Sequence, residues 1–380
     1  MFKAFSFAFF HELQEIKNSW YRLILLTLLP IFSFGFLVVI FYKGVATELP
    51  IVVVDNDKSD ISRRVLFNID ATATVEIKYR VTDISSALHL IQTSKAYALV
   101  EIPAHFKRDI LLQKQPKVTV MLNTQYILIG KIVKAALLES IMHSAGEVEY
   151  LKNLVTTQNS EESINAITPI GLQVTPFYNT YKNYFLFLVS ALLPSIWQIF
   201  IVIATIVSFG TLFKAGRERE FFGSEYIGMK ILGKLFPYTI VYFLLGVGFV
   251  AYIYGTLGWV FQGSFTVTFF AIFLTVIAYQ SVALLFFVTG FDYARSLSLG
   301  AVYTAPAFAF LGVTFPVDSM NGFSVFWRDL LPVSHYMELQ ISQANYGVDI
   351  FMELDKLLAI ALFSLALIPV YFRFKQRLQG

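Results

Sequence analysis

Six long apolar runs constrain the fold of this chain more than any other feature. They cover roughly residues 23–43, 184–213, 235–254, 265–289, 297–315 and 357–372, and their central parts contain no charged side chain. A helix of about 20 apolar residues crosses about 30 Å of hydrocarbon. Charged residues make up only 14% of the chain, compared with about 25% in soluble domains. The sequence therefore predicts an α-helical polytopic membrane protein with six transmembrane helices, the first at residues 23–43.

Residues 1–22 mix phenylalanines with charged residues such as Glu12 and Lys17. This pattern predicts an amphipathic helix that lies on the membrane surface. A cleaved signal peptide is the competing interpretation, but no A-x-A-like cleavage site follows the next apolar run.

Composition changes abruptly after the first run, and residues 44–182 look like a folded domain outside the membrane. The predicted strands are 51–54, 75–79, 97–102 and 118–122; the predicted helices are 59–69, 84–91, a short one ending at Leu112 and a long one at 127–155. Residues 156–163 are polar and are predicted to form a loop. Alternation of short strands with helices predicts an α/β domain inserted between spans 1 and 2.

The distribution of basic residues predicts the orientation. Twelve Lys and Arg residues fall on one side of the predicted spans: Lys3, Lys17, Arg22, Lys214, Arg217, Arg219, Lys230, Lys234, Arg295, Arg373, Lys375 and Arg377. The short loops on the other side contain only Arg328 and Lys356. Because basic residues accumulate in cytoplasmic loops, both termini and the loop 214–234 are predicted to be cytoplasmic, and residues 44–182 extracytoplasmic.

Residue chemistry argues against several classes of site. The chain has no cysteine, its five histidines are scattered, and its net charge of +3 is too small to indicate nucleic acid. The segment 228–235 imitates a phosphate-binding loop, but Leu235 replaces the hydroxyl that binds magnesium. Asp55 and Asp57 are predicted to form a turn rather than a cation site. We expect no catalytic, metal or cofactor site in this chain.

The loop 214–234 is the most charged segment between apolar runs. Arg217, Glu218, Arg219 and Glu220 alternate in sign there. One interpretation is that these charges hold the adjacent spans in register. The other is that they form a contact surface for a second protein.

Several motifs, taken together, resemble those of a known protein family. They are 53–57 with Ser59, 177–179 with 183–185, Leu193-Pro194, 217–220, 233–238, 310–316 and 331–336. Their order, and the plan of one span, a large external domain and five further spans, resembles the ABC-2 type permeases. The chain departs from the family where Phe221 and Phe222 precede Gly223, and where Pro194-Ser195 replaces a Pro-Gly pair.

The resemblance implies a permease subunit of an ATP-binding-cassette exporter rather than an enzyme. It would pair with a second permease copy and two cytoplasmic ATPase subunits, which would bind ATP and Mg, in the cytoplasmic (inner) membrane of a bacterium. A periplasmic membrane-fusion adaptor is a further implied partner, and the cargo would be a small amphipathic or hydrophobic compound. The residues implied in coupling to the ATPase are Arg217, Glu218, Arg219, Glu220, Phe221, Phe222, Glu225 and Tyr226.

Other interpretations remain open at this stage. Trp197, Gln198, Gln280 and Tyr303 are candidates for lining a substrate path, although packing between helices explains them equally well. Residues 316–356 resemble the family's external re-entrant segment. The chain as a whole is alternatively a membrane-anchored scaffold that recruits envelope partners, or an ion-coupled carrier. The absence of charged residues within the spans disfavours the carrier.

Overall fold

The structure is a computed structural model, and it describes residues 1–112, 114–157, 183–223 and 225–379. The predicted loop 156–163 lies almost entirely, and the motif 177–179 entirely, outside these described residues, as does the end of the predicted domain 44–182. Contacts divide the chain into two compact units. The larger unit comprises Met1–Gly44 and Tyr178–Gly380, and the smaller one Val45–Phe177.

The helices are named in chain order. They are α1 (Phe2–Asn18), α2 (Trp20–Phe41), α3 (Asp60–Asp70), α4 (Ile84–Gln92), α5 (Phe106–Leu111), α6 (Ile127–Thr157), α7 (Phe185–Lys214), α8 (Glu218–Phe222), α9 (Ile227–Thr256), α10 (Phe265–Val288), α11 (Tyr293–Thr304), α12 (Ala307–Phe310), α13 (Gly322–Asp329), α14 (Pro332–Ile341) and α15 (Ile350–Gln379). Short 3₁₀ and π-helical turns occur within or beside several of them.

The smaller unit is built on a four-stranded sheet. Its strands are β1 (Leu49–Asp55), β2 (Val75–Val81), β3 (Ala98–Ile102) and β4 (Thr119–Leu122), in the order β2-β1-β3-β4. β1 pairs in parallel with β2 and β3, whereas β3 and β4 are antiparallel. Each strand predicted from the sequence is confirmed; β1 and β3 are mostly buried, whereas β2 and β4 are partly exposed.

The two faces of this sheet bury alternate residues of β1. Val53 packs with Leu66 of α3 and with residues of α5 and α6. Val52 and Val54 pack on the opposite face with Ala87 of α4. α3 begins where the Ser59 hydroxyl accepts a hydrogen bond from the Ser62 N–H at 3.1 Å, as expected for an N-cap. Side-chain alternation along β1 thus produces a sheet with helices on both faces.

In the larger unit, five helices of the described residues are long and apolar enough to cross a membrane: α2, α7, α9, α10 and α15. Residues 297–315 do not form a single helix in the structure, so the predicted sixth span is not confirmed. α11 contains only 12 residues, so it is about 18 Å long, and Pro306 follows shortly after its end. Proline has no N–H to continue the helix, and the chain resumes as the short α12.

The candidate spans differ in how much of their surface the unit itself covers. In their most apolar windows, 72% of α10 is buried, compared with 17% of α2 and 22% of α15. α10 is therefore the central helix. The exposed side chains of α2 and α15 include Phe32, Phe36, Leu358 and Leu362. Those apolar faces are suited to contact with lipid or with another membrane protein.

The N-terminal helix α1 is docked on the bundle as well as being amphipathic. It buries Ala8, Glu12 and Ile16, which share one face because they are spaced four residues apart. α1 packs along α9, and a Cβ at Gly233 would lie 2.4 Å from the backbone oxygen of Phe5 and 3.0 Å from the Cβ of Ala8. The missing side chain of Gly233 therefore permits this close approach.

The contact at Gly233 predicts the effect of adding one methyl group. Gly233→Ala should lower the free energy of unfolding by about 1–3 kcal/mol, since the new Cβ meets backbone that cannot move aside easily. Gly248→Ala on the same helix is the matched control, because nothing lies within 4 Å of its Cβ position. Thermal unfolding of the purified protein in detergent measures both changes. Equal melting temperatures for the two variants would contradict the packing described here.

Candidate functional site

The charged segment predicted at 214–234 is shorter in the structure. α7 ends at Lys214, α8 forms one helical turn, and α9 begins at Ile227 rather than at Leu235. The helix starts earlier because Ile227, Ile231 and Leu235 repeat at four-residue spacing and are all buried. Lys230 and Lys234 thus belong to the first turns of α9, and the loop proper ends at Tyr226.

Two of the predicted coupling residues do not face outward. Phe221 and Phe222 are 4% and 0% exposed, and they pack in an aromatic cluster with Phe209 and Phe374. The ring centroids of Phe222 and Phe374 are 5.2 Å apart. Their side chains are therefore not available for direct contact with a partner, and an implied role in coupling would have to be indirect. The reason is that burying two adjacent phenylalanines in the chain's own core gains more than exposing them.

The other predicted coupling residues form an accessible charged surface. Arg217, Arg219, Glu220, Glu225 and Tyr226 are exposed, and Glu218 is half-buried. The buried phenylalanines fix α8 to the bundle beneath this surface. The charged residues are thus presented on a short rigid turn rather than on a free loop.

Beneath the turn lies an ionic cluster centred on Glu12, which we call the Glu12 cluster. Glu12 of α1, Arg22 of α2 and Lys234 of α9 are 0%, 3% and 1% exposed. Lys234 donates a hydrogen bond to Oε2 of Glu12. Arg22 donates to Oε1 at 3.1 Å. The consecutive helices α1 and α2 are thereby joined at one carboxylate to α9, whose Lys234 is 222 positions from Glu12.

Neutral donors complete the environment of the Glu12 carboxylate. The hydroxyls of Tyr238 and Ser208 donate to Oε1 at 2.7 Å and 2.8 Å. Burial of a charge is costly unless it is paired and hydrogen-bonded, and here both oxygens have donors. The cluster therefore satisfies the carboxylate fully.

The Glu12 cluster extends to the charged turn through a second acid of α1. Glu15 lies 3.7 Å from Arg22 and accepts a hydrogen bond from Arg217 at 3.1 Å. Arg22 also donates to the Thr211 hydroxyl near the end of α7 at 2.6 Å. A continuous set of polar contacts thus connects Arg217 to Lys234 through α1.

The charges of the cluster shift the pKa values of two side chains of α1, Glu12 and His11. Burial alone would raise the pKa of the Glu12 carboxyl, but Lys234 and Arg22 outweigh burial and hold that pKa below its ordinary value. Burial, with the positive charge of Lys234, lowers the pKa of His11. At neutral pH Glu12 is therefore charged and His11 is neutral.

Sequence reasoning did not identify this cluster. The sequence pattern predicts that Glu12 belongs to the polar face of a surface helix. It counts Lys234 only as one of the basic residues near the end of a span. One signal was present: Glu12 lies between Ala8 and Ile16 at four-residue spacing, so it shares the buried face of α1. An acid at the centre of an apolar face requires a buried partner.

The four predicted path residues are involved in contacts between helices. Trp197 donates to the carbonyl of Tyr242 at 3.2 Å, and Gln198 donates to that of Thr304 at 3.2 Å. Gln280 accepts from the Thr239 hydroxyl at 2.9 Å, and Tyr303 donates to the carbonyl of Leu330. The cavity beside Trp197 has a volume of about 20 Å³, which is room for about one water. Their role in a substrate path remains a prediction.

Within the described parts of the chain, no group of three or more His, Asp or Glu residues is arranged to hold a metal. Asp55, singled out in the sequence, accepts hydrogen bonds from the N–H groups of Asp57 and Lys58 and from the Ser62 hydroxyl. It stabilises the turn between β1 and α3, as predicted.

The fold defines a class: a polytopic helical membrane protein with a small α/β unit inserted after its first candidate span. The chain belongs to the ABC-2 transporter family, because the family model described as "ABC-2 family transporter protein" matches residues 20–372. Comparisons with curated proteins and with solved structures gave no match. The chain is therefore a membrane permease of an ABC transporter.

Removal of the Glu12 carboxylate should destabilise the protein more than removal of its partner, the Lys234 amine. Glu12→Gln leaves Lys234 buried without a counter-charge and leaves Arg22 with only the more distant Glu15, at a cost of about 3–5 kcal/mol. Lys234→Met alone should cost less, and the double variant Glu12→Gln/Lys234→Met should cost less than the sum of the two. Denaturant unfolding in detergent measures all three.

The control for these variants is Glu15→Gln on the same helix. Its side chain is 26% exposed, so we expect a loss of no more than about 1 kcal/mol. If Glu12→Gln cost no more than this control, the Glu12 cluster would have no structural role.

The lowered pKa of Glu12 predicts a pH dependence. A carboxyl with a lower pKa in the folded state stabilises fully above its unfolded pKa of about 4.3, and loses this contribution as the pH falls through the folded value. The difference in melting temperature between wild type and Glu12→Gln should thus be constant from about pH 8 to about pH 5 and shrink below about pH 4. A difference that disappears between pH 8 and pH 6 would refute the assignment.

Proposed function

We propose that this chain is the membrane subunit of an ATP-binding-cassette exporter. It moves a small amphipathic or hydrophobic substrate out across the bacterial cytoplasmic membrane, with ATP hydrolysed by a separate subunit. The observation that carries this proposal is the family match, which spans residues 20–372 and thus nearly all of the chain. A transporter of this family implies a partner ATPase.

The structure supports an energy source outside this chain. The segment 228–235, which imitates a phosphate-binding loop, lies in the first turns of α9 and is helical. A phosphate cradle requires a loop whose N–H groups point at the ligand, whereas from Lys230 onward the N–H groups of this segment belong to the helix, beginning with the bond from Lys230 to the carbonyl of Tyr226 at 3.1 Å. Gly233 has a different role, since it permits the contact with α1.

Coupling to the ATPase is proposed to occur at the charged turn. The exposed Arg219, Glu220 and Glu225 would pair with the partner, while the buried Phe221 and Phe222 anchor the turn to the bundle. Arg217 would pass displacement of the turn to Glu15 and, through the Glu12 cluster, to α9. A rigid connection of this kind suits conversion of domain closure into movement of helices.

The arrangement of helix ends supports a six-span topology with cytoplasmic termini. Phe7 of α1 and Phe374 of α15 both pack beside α8, so the two terminal helices meet at one end of the unit. Five spans alone would put the termini at opposite ends. The segment 293–310 would then supply the remaining crossing as a broken helix, and its 18 residues correspond to about 27 Å. The positive-inside rule makes the shared end cytoplasmic, with residues 44–182 extracytoplasmic.

A second permease copy would complete the transport pathway. The cavity beside Trp197 is too small for a substrate, and the apolar faces of α2 and α15 are left uncovered. A path between two copies would explain both the small size of the cavity and the uncovered faces. Its lining would include Trp197, Gln198, Gln280 and Tyr303. A periplasmic adaptor is a further proposed partner.

A charge reversal at the turn tests the coupling proposal. Arg219→Glu should strongly reduce co-purification of the ATPase and nucleotide-dependent transport, while the permease still inserts and keeps its melting temperature. Arg219 is the better target than Arg217, which also binds Glu15 within the chain. Lys375→Glu is the matched control, because Lys375 is an exposed basic residue near the same end of the bundle.

The measurements are ATPase activity of the purified complex and substrate uptake into inverted vesicles. Unchanged ATPase binding by Arg219→Glu would rule out the coupling role. Uptake that proceeds without any nucleotide would favour an ion-coupled carrier instead.

A further inference from the structure

The smaller unit contains a cationic cavity that the transport proposal does not use. Its volume is about 280 Å³, and its lining includes three basic side chains: Lys58, Arg63 and Arg80. Val53 of β1 and Leu66 of α3, both 2% exposed, form its apolar floor. The cavity lies between α3 and the ends of β1 and β2. We call it the basic cavity.

A β-bulge places Arg80 in this cavity. Ile51 pairs with Ile77, but Val52 pairs with Tyr79, so Lys78 is an extra residue in β2. Because side chains alternate along a strand, the bulge shifts the pattern by one and puts Arg80 beside Val53 on the face covered by α3. Without the bulge, the arginine would be on the opposite face, which α4 covers.

The lining contains one acidic side chain, Asp55, and it is already hydrogen-bonded. Its Oδ1 accepts hydrogen bonds from the N–H groups of Asp57 and Lys58 at 3.1 Å and 2.9 Å. Its Oδ2 accepts from the Ser62 hydroxyl at 2.9 Å. These donors hold the Asp55 carboxylate in the turn, and it forms no salt bridge with the cations of the lining.

The three cations have no acidic partner among the residues that the structure describes. Arg63 makes one internal hydrogen bond, from Nε to the carbonyl of Ser59 at 3.1 Å, which leaves its terminal nitrogens available. The three side chains are exposed, and their positive charges around one cavity create a field that attracts an anion.

The position of the cavity agrees with the way that α/β sheets bind ligands. β1 and β2 are parallel, and the cavity lies at their carboxyl ends, where ligands bind in open sheets of this kind. Lys58 has a positive φ of 54°, a conformation that costs free energy for a residue with a side chain and that often occurs at binding sites.

We propose that the basic cavity binds a phosphate group. Arginine guanidinium groups match phosphate oxygens in paired hydrogen bonds, and three cations suit a group that carries up to two negative charges. The phosphate belongs either to a soluble compound or to a lipid headgroup. This site is independent of the transport role and of the ATPase.

The test is calorimetric titration of the full-length protein, in a detergent without phosphate, with inorganic phosphate and with glycerol phosphate at constant ionic strength. Wild type should bind, and Arg63→Gln or Arg80→Gln should each weaken binding by about 10-fold or more, as expected for loss of a charged hydrogen bond. Arg80→Lys should retain part of the affinity. The matched controls are Arg64→Gln on α3 and Lys78→Gln on β2, neither of which lines the cavity.

Titration of the same detergent-solubilised protein with short-chain phosphatidylglycerol and phosphatidylcholine distinguishes the two sources of phosphate. Selective binding of phosphatidylglycerol over phosphatidylcholine that depends on Arg63 and Arg80, without binding of soluble phosphate, assigns a lipid headgroup. Binding of soluble phosphate with the same dependence assigns a soluble ligand. If wild type binds neither, or if Arg64→Gln and Lys78→Gln weaken binding as much as the cavity variants, the proposal is wrong. Melting temperatures of all variants show whether each is folded.

Discussion

The carboxylate of Glu12 is the interaction on which the larger unit depends. It is buried, and it receives hydrogen bonds from Lys234 and Arg22, two cations that would otherwise be unpaired away from water. Leaving one such cation unpaired costs several kcal/mol, a large part of the stability of a typical protein. The family match begins at residue 20, so α1, which supplies this carboxylate, precedes the matched segment. A helix outside the matched segment thus completes the electrostatics of the bundle.

The same helix ties the charged turn to the candidate spans. On one side of α1, Glu15 binds Arg217, and Phe7 and His11 pack on Phe221, with ring centroids 5.7 Å and 4.9 Å apart. Three residues before Glu15 on the same helix, Glu12 binds Lys234 of α9. A displacement of the turn therefore cannot occur without moving α1 or breaking these contacts. This physical coupling makes α1 part of the transmission that we propose, although the sequence suggested only a membrane-surface helix.

Sequence patterns predicted the elements whose environment is uniform. The strands of the smaller unit and four of the long helices after residue 183 follow directly from β-branched runs and unbroken apolar runs. One failure has a local cause, and another depends on contacts between distant segments. The segment at 297–315 is apolar enough for a span, but Pro306 interrupts it. The apolar run predicts a span that starts at residue 235, whereas α9 begins at Ile227 and includes the buried Lys234. Its partner Glu12 is 222 positions away, and no local pattern reveals that pairing.

The two units differ in whether the chain itself supplies an acidic partner for their clustered positive charges. In the Glu12 cluster, buried Arg22 and Lys234 have a carboxylate within the chain, and the result is a stable junction between helices. In the basic cavity, Arg63 and Arg80 share a lining whose only acid is already hydrogen-bonded. Clustered positive charge attracts anions, and the side chains of the basic cavity are exposed and therefore accessible to one. The β-bulge that turns Arg80 into the cavity is an additional local irregularity in the sheet. Both facts are explained if an anion from outside the chain supplies the missing charge.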